Sequence, residues 1–142
     1  MMDMPPSLAF AVVGHPNEGK SSVVSTLTED DSVRITPVPG ETVVCRAFPV
    51  IIDGRELVRF VDTPGFQSPR ASLEWLQAHS GPDMLAAFSQ AHAHDPRFRG
   101  ECELFKPLVE GSEIIYVLDA SRPLRSVDIA EMEILRMTGI PR

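Results

Sequence analysis

This sequence has little cysteine, no long apolar run and no concentration of basic residues. The two cysteines, Cys45 and Cys102, lack the short paired spacing of a zinc site, and two in 142 residues do not form a disulfide framework. The apolar run Leu8 to Val13 is too short for a signal-peptide core or a membrane span. A net charge of -7 gives no sign of a nucleic-acid interface. We therefore expect a cytoplasmic protein with reduced thiols.

The rest of the composition is typical of a single globular domain, with 43% hydrophobic and 23% charged residues. The run Leu8 to Val13 predicts a strand that is buried on both faces of a sheet. A glycine loop follows, and apolar residues at helical spacing predict a helix over Lys20 to Leu27. Prolines and a glycine exclude regular structure across Arg34 to Glu41, which we expect to be an exposed loop.

Three more strands are predicted further along the chain. Two apolar runs, Thr42 to Ile52 and Leu57 to Val61, are separated by Asp53-Gly54, which is a strong hairpin signal. They should therefore pair antiparallel. The run Glu113 to Leu118 predicts another buried strand, which ends at Asp119-Ala120-Ser121.

Helix signals occupy much of the second half of the chain. Ser68-Pro69 predicts a helix start with proline at its first position, and Gly81-Pro82 ends that helix. Asp83 should cap a helix to about Ala93, a further helix should cover Glu101 to Val109, and Ser126 should cap a last helix to about Thr138. The predicted inward residues are Leu73, Leu76, Leu104, Phe105, Leu108, Val109, Val127, Ala130, Ile134 and Leu135.

The loop after the first strand matches a phosphate-binding motif in full. Gly14 to Ser21 reads G-H-P-N-E-G-K-S and fits G-x-x-x-x-G-K-[ST] between a buried strand and a helix. Its glycines let successive N–H groups point inward as an anion nest, and the helix adds its positive dipole end. Lys20 should reach the β- and γ-phosphates, and the Ser21 hydroxyl should bind magnesium. The predicted phosphate contacts are Gly14, Asn17, Glu18, Gly19, Lys20, Ser21 and Ser22.

A second part of the site is predicted at Asp62-Thr63-Pro64-Gly65, where the chain leaves the hairpin. In open α/β sheets, ligands bind outside the carboxyl ends of the strands, so the Asp62 carboxylate should hold magnesium there through water. Gly65 leaves its N–H free to approach a γ-phosphate.

These residues resemble those of P-loop GTPases, specifically the bacterial branch that contains Era, TrmE and EngA. The matching features are G-H-P-N-E-G-K-S, P-G-E-T at Pro39 to Thr42, D-T-P-G at Asp62 to Gly65, and the strand I-I-Y-V-L-D-A-S. The resemblance implies a three-layer α/β domain with helices on both faces of a mostly parallel sheet. Its strand order should be 2-3-1-4, with strand 2 antiparallel and the last strands of the family's sheet absent.

The resemblance also implies an activity: binding of GTP with magnesium and slow hydrolysis to GDP as a conformational switch. Thr42 matches the threonine that coordinates magnesium when GTP is bound, so Lys20, Thr42 and Gly65 are the implied catalytic residues. Asn17 matches an asparagine that helps hold potassium in some members, although it could equally just tie down the loop. Phe66 stands where Ras-type proteins place a water-orienting glutamine, which implies slow intrinsic hydrolysis.

The guanine-recognition motif of the family, N-K-x-D or T-K-x-D, is absent. We expect residues 1–142 to be the N-terminal part of a G domain, ending before that motif. The choice between guanine and adenine as the bound base therefore stays open, and one alternative is an ATP-binding P-loop enzyme. Another is a protein-interaction module that holds nucleotide without turnover. A protein effector is expected but not identified, and an exposed apolar edge at Glu113 to Asp119 predicts self-association.

Overall fold

The computed structural model describes residues 8–14, 45–119 and 121–142. Strands come first within these ranges, and helices dominate after residue 68. The strands are β1 Leu8–Gly14, β2 Arg46–Ile52, β3 Arg55–Asp62 and β4 Glu113–Val117. The α-helices are α1 Pro69–Ala78, α2 Met84–Ala91, α3 Arg99–Val109 and α4 Ser126–Met137, and a 3-10 helix covers Pro96–Phe98.

The four strands form one sheet in the order β2-β3-β1-β4, which confirms the predicted order. Strand β1 is parallel to both β3 and β4, whereas β2 and β3 form the predicted antiparallel hairpin. Asp53 and Gly54 have φ angles of 53° and 76° at its turn. Tight hairpin turns that follow the twist of the strands need positive φ at both central residues, and Asp-Gly is one of the pairs that tolerates this.

The strand register brings three strand ends to one edge of the sheet. Val12 of β1 lies opposite Asp62 of β3, and Gly14 lies opposite Val117 of β4. Because these three strands are parallel, their carboxyl ends form a common edge. The end of β1, where the phosphate-binding motif begins, therefore lies between the ends of β3 and β4.

The two faces of the sheet carry different apolar clusters. Ala11, Val13 and Ile114 pack with buried residues of all four described α-helices in the larger cluster. The opposite face carries Val12 and Phe60, with partly buried apolar neighbours on every strand. The helix predicted over Lys20 to Leu27 lies outside the described residues.

The four helices predicted after residue 68 are present, but three details of them were wrong. Asp83 precedes α2 without making a side-chain cap, since its carboxylate accepts no hydrogen bond from the first turn. Val109 is 56% exposed because α3 ends there and leaves the apolar cluster. Ser126 is the first residue of α4 rather than its cap; Arg125 occupies the N-cap position, and the Asp128 carboxylate caps the helix by accepting from the Arg125 N–H at 2.8 Å. Helix α2 also ends at Ala91, slightly before the predicted limit.

Cys45 and Cys102 are free cysteines. The Cys45 thiol is half-buried and donates to the Glu103 carbonyl oxygen at 3.1 Å. Burial raises the pKa of Cys45 to about 12, so the reactive thiolate is not formed at neutral pH. In the described ranges, no helix is both long and apolar enough to cross a membrane.

Strand β4 forms the outer edge of the described sheet next to β1. The Ile114 N–H on this edge donates to the Pro141 carbonyl oxygen at 3.0 Å. Leu118, just beyond β4, is 36% exposed. Self-association through this edge stays a prediction.

Replacing Leu104 with alanine should destabilise the domain much more than the same change at Leu124. Leu104 is fully buried in the larger cluster, whereas Leu124 is 55% exposed. Removing a buried leucine side chain costs about 2–5 kcal/mol, and an exposed substitution changes stability by about 0.5 kcal/mol or less. Urea unfolding of Leu104→Ala and Leu124→Ala measures both values. Equal losses would contradict the placement of the core.

Candidate functional site

The structure brings Gly14, Asp62 and Gly65 to the same edge of the sheet. Gly14 is the last residue of β1, Asp62 is the last residue of β3, and Gly65 lies in the irregular segment that follows β3. The other predicted site residues lie outside the described part of the chain: Asn17, Glu18, Gly19, Lys20, Ser21, Ser22 and Thr42. Their roles stay predictions.

Thr63 ties β3 to β1 at the point where the chain leaves the sheet. Its hydroxyl donates to the Val12 carbonyl oxygen at 2.8 Å, and its N–H approaches the same oxygen at 3.3 Å. The side chain is buried, so these bonds replace the water that the strand end would otherwise need. Asp62 is half-buried and precedes Thr63 directly, so the two contacts of Thr63 with Val12 also hold Asp62 in place. Sequence reasoning missed Thr63, because its partner is 51 residues away.

Gly65 and Phe66 turn the chain from the sheet edge into the core. Gly65 has a φ of 85°, a left-handed conformation that glycine adopts without a steric penalty. Phe66 is 1% exposed, and its ring meets the Phe105 ring edge-on at 6.4 Å between centroids. A ring buried in this way cannot orient a water molecule at the site.

The segment after Phe66 is bound to the start of α3. The fully buried Glu101 carboxylate accepts hydrogen bonds from the N–H groups of Gln67 and Ser68 at 2.9 and 2.8 Å. It also accepts one from the Ser72 hydroxyl at 2.8 Å. In the sequence, Glu101 is only the first residue of a predicted helix, so nothing local indicates this role.

The loop between β4 and α4 is rich in charge-assisted hydrogen bonds. The Asp119 carboxylate accepts from the Ser121 N–H at 2.9 Å and from its hydroxyl at 2.6 Å. Asp128 accepts from the Arg125 N–H and side chain, and Arg122 lies 3.3 Å away. Hydrogen bonds from Arg125, helped by Arg122, lower the pKa of Asp128 from 3.8 to about 2. This loop follows β4 at the same edge as Asp62.

The donor set is consistent with magnesium bound together with a nucleotide. In the described ranges there is no group of three or more histidine, cysteine and acidic side chains that would form an all-protein metal site. Magnesium at nucleotide sites typically takes only one or two carboxylates, and phosphate oxygens and water complete its shell. The Asp62 carboxylate, at the ligand-binding edge, fits that pattern.

The fold and this edge define an α/β domain of the nucleotide-binding class. The chain belongs to the 50S ribosome-binding GTPase family, whose model matches residues 9–140.

Individual relatives agree with this family. The chain is 34% identical over 132 residues to the tRNA modification GTPase MnmE of Pediococcus pentosaceus, covering 93% of this chain and 23% of the relative. It is 32% identical over 85 residues to GTPase Der of Caldanaerobacter subterraneus, covering 60% of this chain and 19% of the relative. The chain thus spans less than a quarter of either relative. The predicted resemblance to the bacterial TrmE and EngA branch is confirmed.

Among solved structures, the chain is similar to NFeoB from S. thermophilus bound to GDP·AlF4⁻ and K⁺. That match has 22% sequence identity and a TM-score of 0.47, and it covers 81% of this chain and 35% of the other.

The Asp128 cap should make the start of α4 sensitive to acid. Because the folded pKa of Asp128 lies below its ordinary value, its ionised form adds stability above about pH 4, and that stability disappears as the pH falls through about 2. Asp128→Asn should therefore cost about 1 kcal/mol at pH 7 and progressively less below pH 4. Urea unfolding of both proteins from pH 7 to pH 2 tests this, with Glu74→Gln on the exposed face of α1 as the control. A difference that stays constant with pH would contradict it.

Proposed function

We propose that this domain binds GTP with magnesium and hydrolyses it slowly to GDP, as a conformational switch. Membership of a GTPase family supports the nucleotide and the reaction. The observation that carries the proposal is the placement of Asp62 and Gly65 beside the end of β1, where a complete phosphate-binding motif begins. The nucleotide-sensitive segments are Arg34 to Thr42 and Gly65 to Ser68.

Each proposed residue has a distinct role at this edge. Backbone N–H groups from Gly14 to Ser22, including those of Asn17, Glu18 and Gly19, surround the phosphates, and the Lys20 ammonium neutralises charge on the β- and γ-phosphates. Ser21 and Thr42 would supply hydroxyl oxygens for magnesium, and Asp62 would hold the ion through water. Magnesium held there would withdraw negative charge from the phosphates. Gly65 offers its N–H to the γ-phosphate, a contact that is lost when GDP remains.

The family bears on whether the bound nucleotide carries guanine or adenine. The residues of this chain contain no motif that reads guanine, so adenine is not excluded by the site itself. The matching family and both relatives are named as GTPases, which favours guanine over adenine as the base. Competition between unlabelled GTP and ATP for a fluorescent guanine nucleotide tests this directly. Equal displacement by ATP would favour an ATP-binding enzyme.

Replacing Lys20 should weaken nucleotide binding. A charge-assisted hydrogen bond contributes about 1.5–3 kcal/mol, so Lys20→Ala should weaken Mg-GTP binding by roughly tenfold to a hundredfold. Titration of a fluorescent GTP analogue measures the change. Lys106→Ala is the matched control, because this lysine is exposed on α3 and pairs with Glu103. Unchanged affinity in Lys20→Ala would contradict the proposed phosphate site.

Potassium should accelerate hydrolysis if Asn17 helps hold a monovalent cation. A cation beside the phosphates stabilises the charge that develops during phosphoryl transfer, where other GTPases use an arginine. Phosphate release by the wild type should be faster in potassium than in sodium, and Asn17→Ala should remove that difference. If both salts support the same rate, Asn17 only ties down the loop. Release at background in both would favour an interaction module without turnover.

A further inference from the structure

The segment that follows Gly65 is held by a carboxylate that the proposed chemistry does not use. Glu101 is 0% exposed and lies at the start of α3. Its Oε1 accepts the Gln67 N–H at 2.9 Å, and its Oε2 accepts the Ser68 N–H at 2.8 Å. Oε2 also accepts the Ser72 hydroxyl at 2.8 Å. Three donors from one segment thus converge on one side chain that is distant in sequence.

The charge on Glu101 explains why these bonds matter. A buried carboxylate is costly unless it is paired or fully hydrogen-bonded. Within the described part of the chain Glu101 makes no ion pair, so its charge is stabilised by these donors. Two of them are main-chain N–H groups just before α1, whose positive dipole end also favours a negative charge there. The carboxylate therefore serves as a cap for α1, supplied by another helix.

The residue before Glu101 strengthens the same connection. The Gly100 N–H donates to the Gln67 side-chain oxygen at 2.6 Å. A Cβ atom at position 100 would lie 2.7 Å from the Gly65 carbonyl oxygen and 2.9 Å from Cγ of Gln67. Such contacts are too short for any side chain, so glycine is required for this approach. The backbone of Gly65 therefore lies directly against the first turn of α3.

We propose that Glu101 is a positioning residue for nucleotide discrimination: it fixes the segment Gly65 to Ser72 on α3 so that the Gly65 N–H is presented to a γ-phosphate. This inference rests on the proposed function. Only a triphosphate can make that contact, because GDP has no γ-phosphate. Loosening the segment must then weaken binding of GTP while leaving GDP unaffected. By linkage, GTP stabilises the contact between Gly65 and α3 to the same extent.

Glu101→Gln in the full chain tests this role at nearly constant volume. Glutamine keeps one acceptor oxygen but turns its amide group toward a donor, so one or two of the three hydrogen bonds are lost. Affinity for a non-hydrolysable GTP analogue should fall about tenfold or more, whereas affinity for GDP should stay within about twofold. Isothermal titration of both nucleotides measures the two affinities, and single-turnover phosphate release should slow in parallel.

Two further variants keep the test decisive if Glu101→Gln folds poorly. Ser72→Ala removes one donor and leaves the carboxylate, and Gly100→Ala drives a methyl group against Gly65. Both should show the same selective loss for the triphosphate, in proteins whose folding is checked by urea unfolding. Glu131→Gln is the control, since Glu131 is equally buried but accepts from the Tyr116 hydroxyl of β4. Its ratio of GTP to GDP affinity should match that of the wild type.

The outcomes separate this inference from the function on which it rests. If the wild type binds neither nucleotide, the proposed function fails. If the wild type binds both and the variants weaken both equally, Glu101 only supports the fold and its positioning role is overturned. A selective loss of the triphosphate in Glu101→Gln or Ser72→Ala, with none in Glu131→Gln, establishes the role.

Discussion

Parallel pairing of β1 with β3 is the constraint on which the rest of the site depends. It places Val12 opposite Asp62, so the start of the phosphate-binding motif and the carboxylate that we propose for magnesium meet at one edge although they are far apart in sequence. Thr63 secures the pairing where it is weakest, at the strand end, through two contacts with the Val12 carbonyl oxygen. Without that anchor, the last residue of β3 would fray into water and Asp62 would lose its fixed position.

Among the residues that the structure describes, three carboxylates are almost completely buried, and each is satisfied in a different way. Asp128 is balanced by arginines, and its pKa falls accordingly. Glu131 accepts from the Tyr116 hydroxyl and so connects α4 to β4. Glu101 accepts from N–H and O–H donors of the segment after Gly65. Because an incompletely bonded buried charge is so unfavourable, each carboxylate fixes the position of its partners more strictly than apolar packing does.

Local signals made most of the strands and helices predictable. Asp53-Gly54 permits the positive φ angles that a tight hairpin turn needs, and β2 lies within the predicted run Thr42 to Ile52, although Cys45 precedes the strand. The order of strands came from the family resemblance rather than from any residue pattern. The caps were less predictable: Asp83 and Ser126 have the right side chains, yet α4 is capped by Asp128 from within its first turn. Side-chain chemistry permits a cap, but backbone direction decides which group makes it.

The site was predictable only where its residues form a contiguous motif. Gly14, Asp62 and Gly65 belong to such motifs and lie at the expected edge. Thr63 and Glu101 act through partners that are 51 and 33 or 34 residues away, so no local pattern could reveal them. A buried carboxylate on an amphipathic helix looks the same in sequence as an exposed one. The residues of the phosphate loop beyond Gly14 and of Arg34 to Thr42 stay predictions.

The phenyl ring of Phe66 stabilises the fold and, for the same reason, cannot take part in the chemistry. A polar side chain here would have to remain near water, whereas the phenyl ring packs on Phe105 and draws the chain into the core immediately after Gly65. The apolar contact and the Glu101 hydrogen bonds act on consecutive residues, so they hold the same segment by two independent forces. The position that could orient water is thus used for anchoring instead. The slow hydrolysis that we propose would then be a consequence of how the segment is held, and any acceleration would come from a charge or group supplied elsewhere at the site.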